Sequence, residues 1–233
     1  MLKVKNIDTG YGKKQILFNV SFTLETAQIT TIVGSNGSGK STLLRAIYGF
    51  NPVWNDGTVY FKDKNIKHTP TQDLLKEGLV FIPQKGNVFE SMSVIENLQT
   101  AGFIYPKALL QDKIATTLDQ LPEIKNHLNK SISDLSGGQK QQVALAMGLL
   151  HNPKLILFDE PSVGLDTKRF TQVLHIITKL NQQGISILVV EHRIREISQI
   201  IHRFLGLRLG RLELDKRVDE GFDVNEDLKE LFL

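Results

Sequence analysis

Gly34-Ser35-Asn36-Gly37-Ser38-Gly39-Lys40-Ser41-Thr42 is the stretch whose reading decides the fold, because of what stands on either side of it. Residues 28–33 are a short β-branched run that reads as a strand, and residues 40–48 read as a helix stopped by Gly49 and Pro52. A strand that turns through glycines into a helix makes an anion nest. Glycine permits the φ values that aim successive backbone N–H groups inward, and the helix start adds its unpaired donors and dipole. Gly34, Gly39, Lys40 and Ser41 fit G-x-x-x-x-G-K-[S/T], in which the lysine meets the β- and γ-phosphates and the hydroxyl can ligate Mg²⁺. A second glycine-rich stretch, Leu135-Ser136-Gly137-Gly138-Gln139, opens another helix. Ser136 is a good N-cap there, and Gly137 and Gly138 leave the first amides open to an anion.

Working outward, residues 58–61, 79–82, 155–158 and 185–190 read as strands, the later ones almost wholly apolar, with Ser186 the exception. Residues 2–4 and 16–24 alternate as half-buried strands do. Helices are predicted over 94–101, 108–121 and 123–128, from 136 to about 150, and over 167–181. Apolar strands separated by helices imply a mostly parallel sheet covered on both faces. The segment 85–135 reads as a helical insertion into one domain, whose α/β nucleotide-binding core comprises 1–84 and 136–233. The tail predicts a strand at 211–214 and a short helix at 224–232, with no chemistry attached.

Composition narrows the function classes. Hydrophobic content of 41%, charged content of 23% and a net charge of +3 spread along the chain describe a solvated surface rather than a nucleic-acid footprint, so no nucleic-acid partner is expected. Zero cysteines exclude disulfides and thiolate metal sites. No apolar run approaches the roughly 18 residues that span a bilayer. A soluble chain is therefore expected, with any membrane role supplied through a partner.

The apolar run 155–158 leads into Asp159 and Glu160. A buried strand ending in two acids puts them at the carboxyl edge of the sheet, where ligands of open α/β sheets bind. Adjacent strand residues point to opposite sides, so the two acids are expected to hold different jobs. Asp159 is read as a holder of Mg²⁺ and Glu160 as the general base.

With these segments in order, the chain resembles the ATP-binding cassette ATPases, the nucleotide-binding subunits of ABC transporters, over essentially its whole length. The resemblance rests on G-S-N-G-S-G-K-S-T at 34–42, F-I-P-Q at 81–84, L-S-G-G-Q at 135–139, L-I-L-F-D-E at 155–160 and V-E-H at 190–192. It implies a P-loop NTPase core with an antiparallel β subdomain and a helical insertion subdomain. It implies ATP and Mg²⁺ as ligands, with Gly34 to Thr42 binding the phosphates. Tyr11 would stack on adenine. Gln84 would sense Mg²⁺ and the attacking water, and His192 would bond the γ-phosphate, joining Glu160 in catalysis. Ser41, Gln84 and Asp159 would form the metal set. The loop 162–166, Asp166 included, would carry communication between subunits, although Val163-Gly164 stands where alanine is commoner.

Ser136, Gly137, Gly138 and Gln139 would meet nucleotide held by a second cassette, so a homo- or heterodimer is implied. Integral membrane permease subunits and a solute-binding protein would complete a transporter, placing the chain at the cytoplasmic face of the cell membrane. Residues 88–98 and 159–166 resemble subunits for branched-chain amino-acid uptake. A soluble single-cassette ATPase of a cofactor-assembly system is the alternative reading.

Overall fold

The computed structural model describes residues 1–85, 87–221 and 226. The strands are β1 (Leu2–Tyr11), β2 (Lys14–Leu24), β3 (Ile29–Val33), β4 (Thr58–Phe61), β5 (Lys64–Asn65), β6 (Leu79–Ile82), β7 (Leu155–Asp159), β8 (Ser186–Val190), β9 (Arg203–Arg208) and β10 (Arg211–Arg217). The helices are α1 (Lys40–Ile47), α2 (Thr71–Lys76), α3 (Val94–Ala101), α4 (Lys107–Gln120), α5 (Pro122–Lys125), α6 (Gly137–Leu149), α7 (Thr167–Gln182) and α8 (Ile194–Ile197). Among the described residues the strands form two sheets, an antiparallel one ordered β2-β1-β4-β5 and a larger one ordered β10-β9-β3-β8-β7-β6. In the larger sheet β9, β3, β8, β7 and β6 run parallel, and β10 pairs antiparallel with β9.

The continuously apolar strands divide their side chains between two cores. Ile156, Phe158, Ile187 and Val189 face one side, packed with α3 to α7. Leu155, Leu157, Leu188 and Val190 face the other, against α1 and the antiparallel sheet through Leu2, Val4, Val59 and Phe61. Period-2 alternation within an apolar run is what a sheet covered on both faces requires. Each fully buried Leu or Val contributes roughly 1.5–3 kcal/mol by leaving water.

The helical segment has its own starts. Ser93 and Glu96 form a capping box at α3, and Pro122 opens α5 at its first turn. Helix α6 joins this segment to the sheet. Val143, Leu145 and Ala146 share a core with Val94, Leu98, Ile114 and Leu118, while Gly148 lies against Val80 of β6.

Two differences from the sequence reading have physical causes. Strand β9 was not expected, because Arg203-Phe-Leu-Gly-Leu-Arg208 has a glycine inside and arginines at both ends. Its place beside β3 gives it a buried middle, and Gly206 pairs with Val33. The short α2, β5 and α8 likewise carry too few residues for a periodic signal. The helix expected at 224–232 lies outside the described residues apart from Glu226.

Candidate functional site

Parallel register places the site. Ile32 of β3 and Asp159 of β7 both lie opposite Val190 of β8, and Ile82 of β6 lies opposite Phe158. The carboxyl ends of β3, β6, β7 and β8 therefore share one edge. The residues that follow them, Gly34, Gln84, Glu160 and His192, emerge together, as ligand-binding loops of open α/β sheets do.

The phosphate loop is shaped by a close approach and a helix start. Gly34 has φ 148°, and a Cβ there would lie 2.1 Å from the Leu207 carbonyl oxygen. Gly39, at φ 105°, is the N-cap of α1 and offers no side-chain cap, so the first amides of that helix have no local acceptor. Lys40 is 5% exposed, and its Nζ donates to the carbonyls of Gly34 and Ser35, both at 3.0 Å. Burial holds the Lys40 ammonium below the ordinary lysine range, while Glu160 and Asp159 oppose that shift. The hairpin of β9 and β10 supports the loop from outside, since Gly210 N donates to Ser38 O at 3.1 Å. Tyr11, at the end of β1, is 51% exposed, with its hydroxyl 3.4 Å from Thr42 Oγ1. Its ring therefore stands at the rim of the loop.

The two acids part company at the strand end. Asp159 stays in β7 and accepts from Ser41 Oγ at 2.8 Å. Glu160 turns away not by strand alternation but because it adopts a left-handed φ of 48°, leaving the ladder. One of its oxygens accepts from Gln84 Nε2, and the other lies 3.0 Å from His192 Nε2. Burial raises the Asp159 carboxyl above its ordinary range, and the Ser41 hydrogen bond opposes this. Asp159 and Ser41 thus present adjacent hard oxygens, one of them a carboxylate whose charge is poorly solvated. That donor set suits Mg²⁺, which uses one or two carboxylates, hydroxyls and phosphate oxygens rather than a protein cage. Among the described residues no cluster of three His, Cys, Asp or Glu could hold a metal.

Ser136, Gly137, Gly138 and Gln139 form a separate cluster. Ser136 and Gln139 make a reciprocal capping box at α6, and Gly138 packs against the Arg169 side chain. Gln139 Nε2 also lies 3.1 Å from His127 Nε2 and donates to Glu123. Among the described residues no hydrogen bond joins this cluster to 34–42. Asp166 is the N-cap of α7, accepting from Arg169 N at 2.9 Å.

The chain matches the ABC transporter family model over residues 17–163. It belongs to the ABC transporter family. A high-affinity branched-chain amino acid transport ATP-binding protein of Pseudomonas aeruginosa is 31% identical over 212 residues, covering 91% of each chain. A probable branched-chain amino acid transport ATP-binding protein of Archaeoglobus fulgidus is 33% identical over 221 residues, 94% of this chain and 93% of its own. Other similar proteins are named for methionine, arginine and phosphonates. Among solved structures, a dimeric post-hydrolysis cassette bound to ADP and Pi superposes with a TM-score of 0.80 at 28% identity, covering 94% of this chain and 99% of that one.

This ABC cassette is an ATPase that takes ATP with Mg²⁺. No helix among its described residues is long and apolar enough to cross a membrane. Sequence reasoning gave no role to one residue that borders the site. Glu191, read only as the neighbour of His192, is a buried hydrogen-bonding hub. A lone acid after an apolar strand carries no signal of that role.

Beside Gln84 the cassette has a groove of about 300 Å³, lined by Leu75, Phe81, Pro83, Asn87, Met147 and His151 among others. His151 is 7% exposed, with Nδ1 3.1 Å from the Tyr105 hydroxyl. Burial, and then the Lys113 ammonium, push its imidazole down to about 4 from 6.5. Between those values the unfolded chain takes up the proton and the folded chain does not. Stability from this group is therefore full above about pH 6.5 and lost as pH falls towards 4, by up to about 3 kcal/mol. Urea unfolding at pH 7 and 4.5 should show a larger loss for the wild type than for His151→Gln; equal losses would contradict this.

Proposed function

We propose that this cassette powers a transporter whose spanning subunits are separate permease chains, by ATP-driven closure and opening of a cassette dimer. The observation that supports the reading is that the chain holds two separate glycine-rich helix starts, each suited to an anion. One is the loop at Lys40 with its acids at the sheet edge, and the other is the α6 start at Ser136. Lys40 would meet the β- and γ-phosphates, with Gly34, Ser35, Asn36, Gly37, Ser38, Gly39 and Thr42 presenting backbone or hydroxyl donors. Ser41 and Asp159, with Gln84, would hold Mg²⁺, whose charge neutralises that developing on the phosphates. Glu160 would accept a proton from the attacking water, and His192 would hydrogen-bond the γ-phosphate. Tyr11 would stack on the base.

Ser136, Gly137, Gly138 and Gln139 of a second cassette would close on the same γ-phosphate, with a two-fold axis making two such sites. ATP then bridges the halves only while its γ-phosphate is attached, so hydrolysis releases them. The helical segment 85–135, linked to the core at Gln84, would supply the surface by which a permease would feel that motion. The core, 1–84 with 136–233, would move as the other part.

For the solute, the branched-chain amino-acid relatives favour branched-chain amino acids or a related small solute, delivered by a solute-binding protein. The cassette would then sit peripherally at the cytoplasmic face of the membrane. Tagging the chain in its native cell and fractionating should recover it with an integral membrane protein. Recovery from the cytosol alone, with no such partner, would overturn the transport reading in favour of a soluble assembly ATPase. Deleting the chain should abolish leucine, isoleucine and valine uptake, and unchanged uptake of all three would remove the solute assignment.

A further inference from the structure

Glu191 has no part in the chemistry above, yet it is 1% exposed. Its Oε1 accepts from Ser162 N at 2.8 Å. Its Oε2 accepts from Ser162 Oγ at 2.8 Å, His192 N at 2.9 Å and Arg193 N at 3.2 Å. A buried carboxylate is tolerated only when its lone pairs are taken up in this way. The donors come from two loops, the one that follows Glu160 and the one that carries His192.

Arg193 extends the same connection. Its Nη1 donates to Leu165 O at 3.3 Å and its Nη2 to Thr167 Oγ1 at 3.0 Å, with the guanidinium 4.7 Å from the centre of the Phe170 ring. The loop after Glu160 is therefore gripped at both ends by side chains of the other loop. Between the grips stand Val163, 47% exposed, and Gly164, at φ 77°. Glu160 itself is tied on both sides, donating from N to Val190 O at 3.0 Å and accepting from Val163 N at 3.2 Å.

We propose that Glu191 is a positioning residue that fuses the 162–165 loop and the His192 loop into one body. Glu160 and His192 then keep their mutual placement. The inference rests on the catalytic roles proposed for Glu160 and His192, but it assigns Glu191 no contact with nucleotide. Its effect should therefore fall on turnover and not on binding.

Glu191→Gln tests this in the full-length chain with Mg-ATP. Glutamine keeps one acceptor oxygen and sets an amide N–H group against the backbone donors. A small displacement of catalytic groups costs on the order of 10- to 100-fold, so kcat should drop by that much while KM and the nucleotide Kd stay within about twofold. Ser162→Ala removes one donor of the four and should lower kcat less, again without a change in Kd. The double variant should be no slower than Glu191→Gln alone, because both changes break one network.

An unchanged kcat in Glu191→Gln, or equal losses in kcat and affinity, would overturn the proposal. If Glu191→Gln does not fold, an unchanged kcat in Ser162→Ala does the same. Glu160→Gln in the same assay separates the two readings. Full turnover by that variant would remove the role of Glu160, whereas an inactive Glu160→Gln beside a normal Glu191→Gln would remove only the role of Glu191.

Discussion

Replacing Lys40 with alanine is expected to abolish turnover and to weaken nucleotide binding severely. The Lys40 ammonium sits between the Gly34 and Ser35 carbonyls and near two acids, so it has little screening solvent. Each charge-assisted hydrogen bond to phosphate contributes about 1.5–3 kcal/mol, and losing two of them lowers affinity by roughly 100-fold or more. The variant also leaves Asp159 and Glu160 without the cation that opposes their charge as polyphosphate arrives. Lys40→Arg should not restore activity, because a planar guanidinium does not fit where a compact ammonium sits between two carbonyls. Phosphate-release assays and fluorescent-nucleotide titration measure both effects. Normal ATPase activity in Lys40→Ala would refute the phosphate-loop assignment.

Glu160→Gln should do the opposite to binding. Glutamine preserves the shape of the side chain and can still accept from Gln84, so the loop geometry survives. What is lost is basicity, and a positioned general base contributes about 10²- to 10⁴-fold, so hydrolysis should fall by that order with ATP affinity retained. Because the bridging γ-phosphate is then not removed, a dimer should accumulate with Mg-ATP and disappear with ADP. Size-exclusion chromatography reads this directly. A variant that remains monomeric at saturating Mg-ATP would sink the model of two cassettes gripping one nucleotide.

Much of the site was legible because its chemistry is written in contiguous residues. The Gly34-to-Thr42 loop needs only a strand, glycines and a helix start in sequence, and each is a local property. The N-cap read at Ser136 is likewise local, and Gln139 completes a capping box with it within one helical turn. The apolar run before Asp159 announced a strand buried on both faces, and β7 is that strand.

What neighbours do was less legible. Asp159 and Glu160 take different hydrogen-bond partners, and the cause is the left-handed backbone at Glu160 rather than the strand alternation the sequence suggested. Asp166, expected in an intersubunit loop, also caps α7 within its own chain, a local contact that the sequence reading did not give. Strand β9 escaped notice because its pairing with β3 and β10, rather than its composition, makes it a strand.

The sequence by itself determined that a phosphate-binding turn, two acids at a strand end and a second glycine-rich helix start lie on one chain. Those features follow from residue type at fixed short spacing, where backbone conformation is a local matter. Tertiary structure alone decided that Gln84, Glu160 and His192 meet, since they follow different strands and only parallel register brings those strand ends to one edge. It alone decided the role of Glu191. A carboxylate becomes a hub only when burial removes water and the chain folds four donors around it.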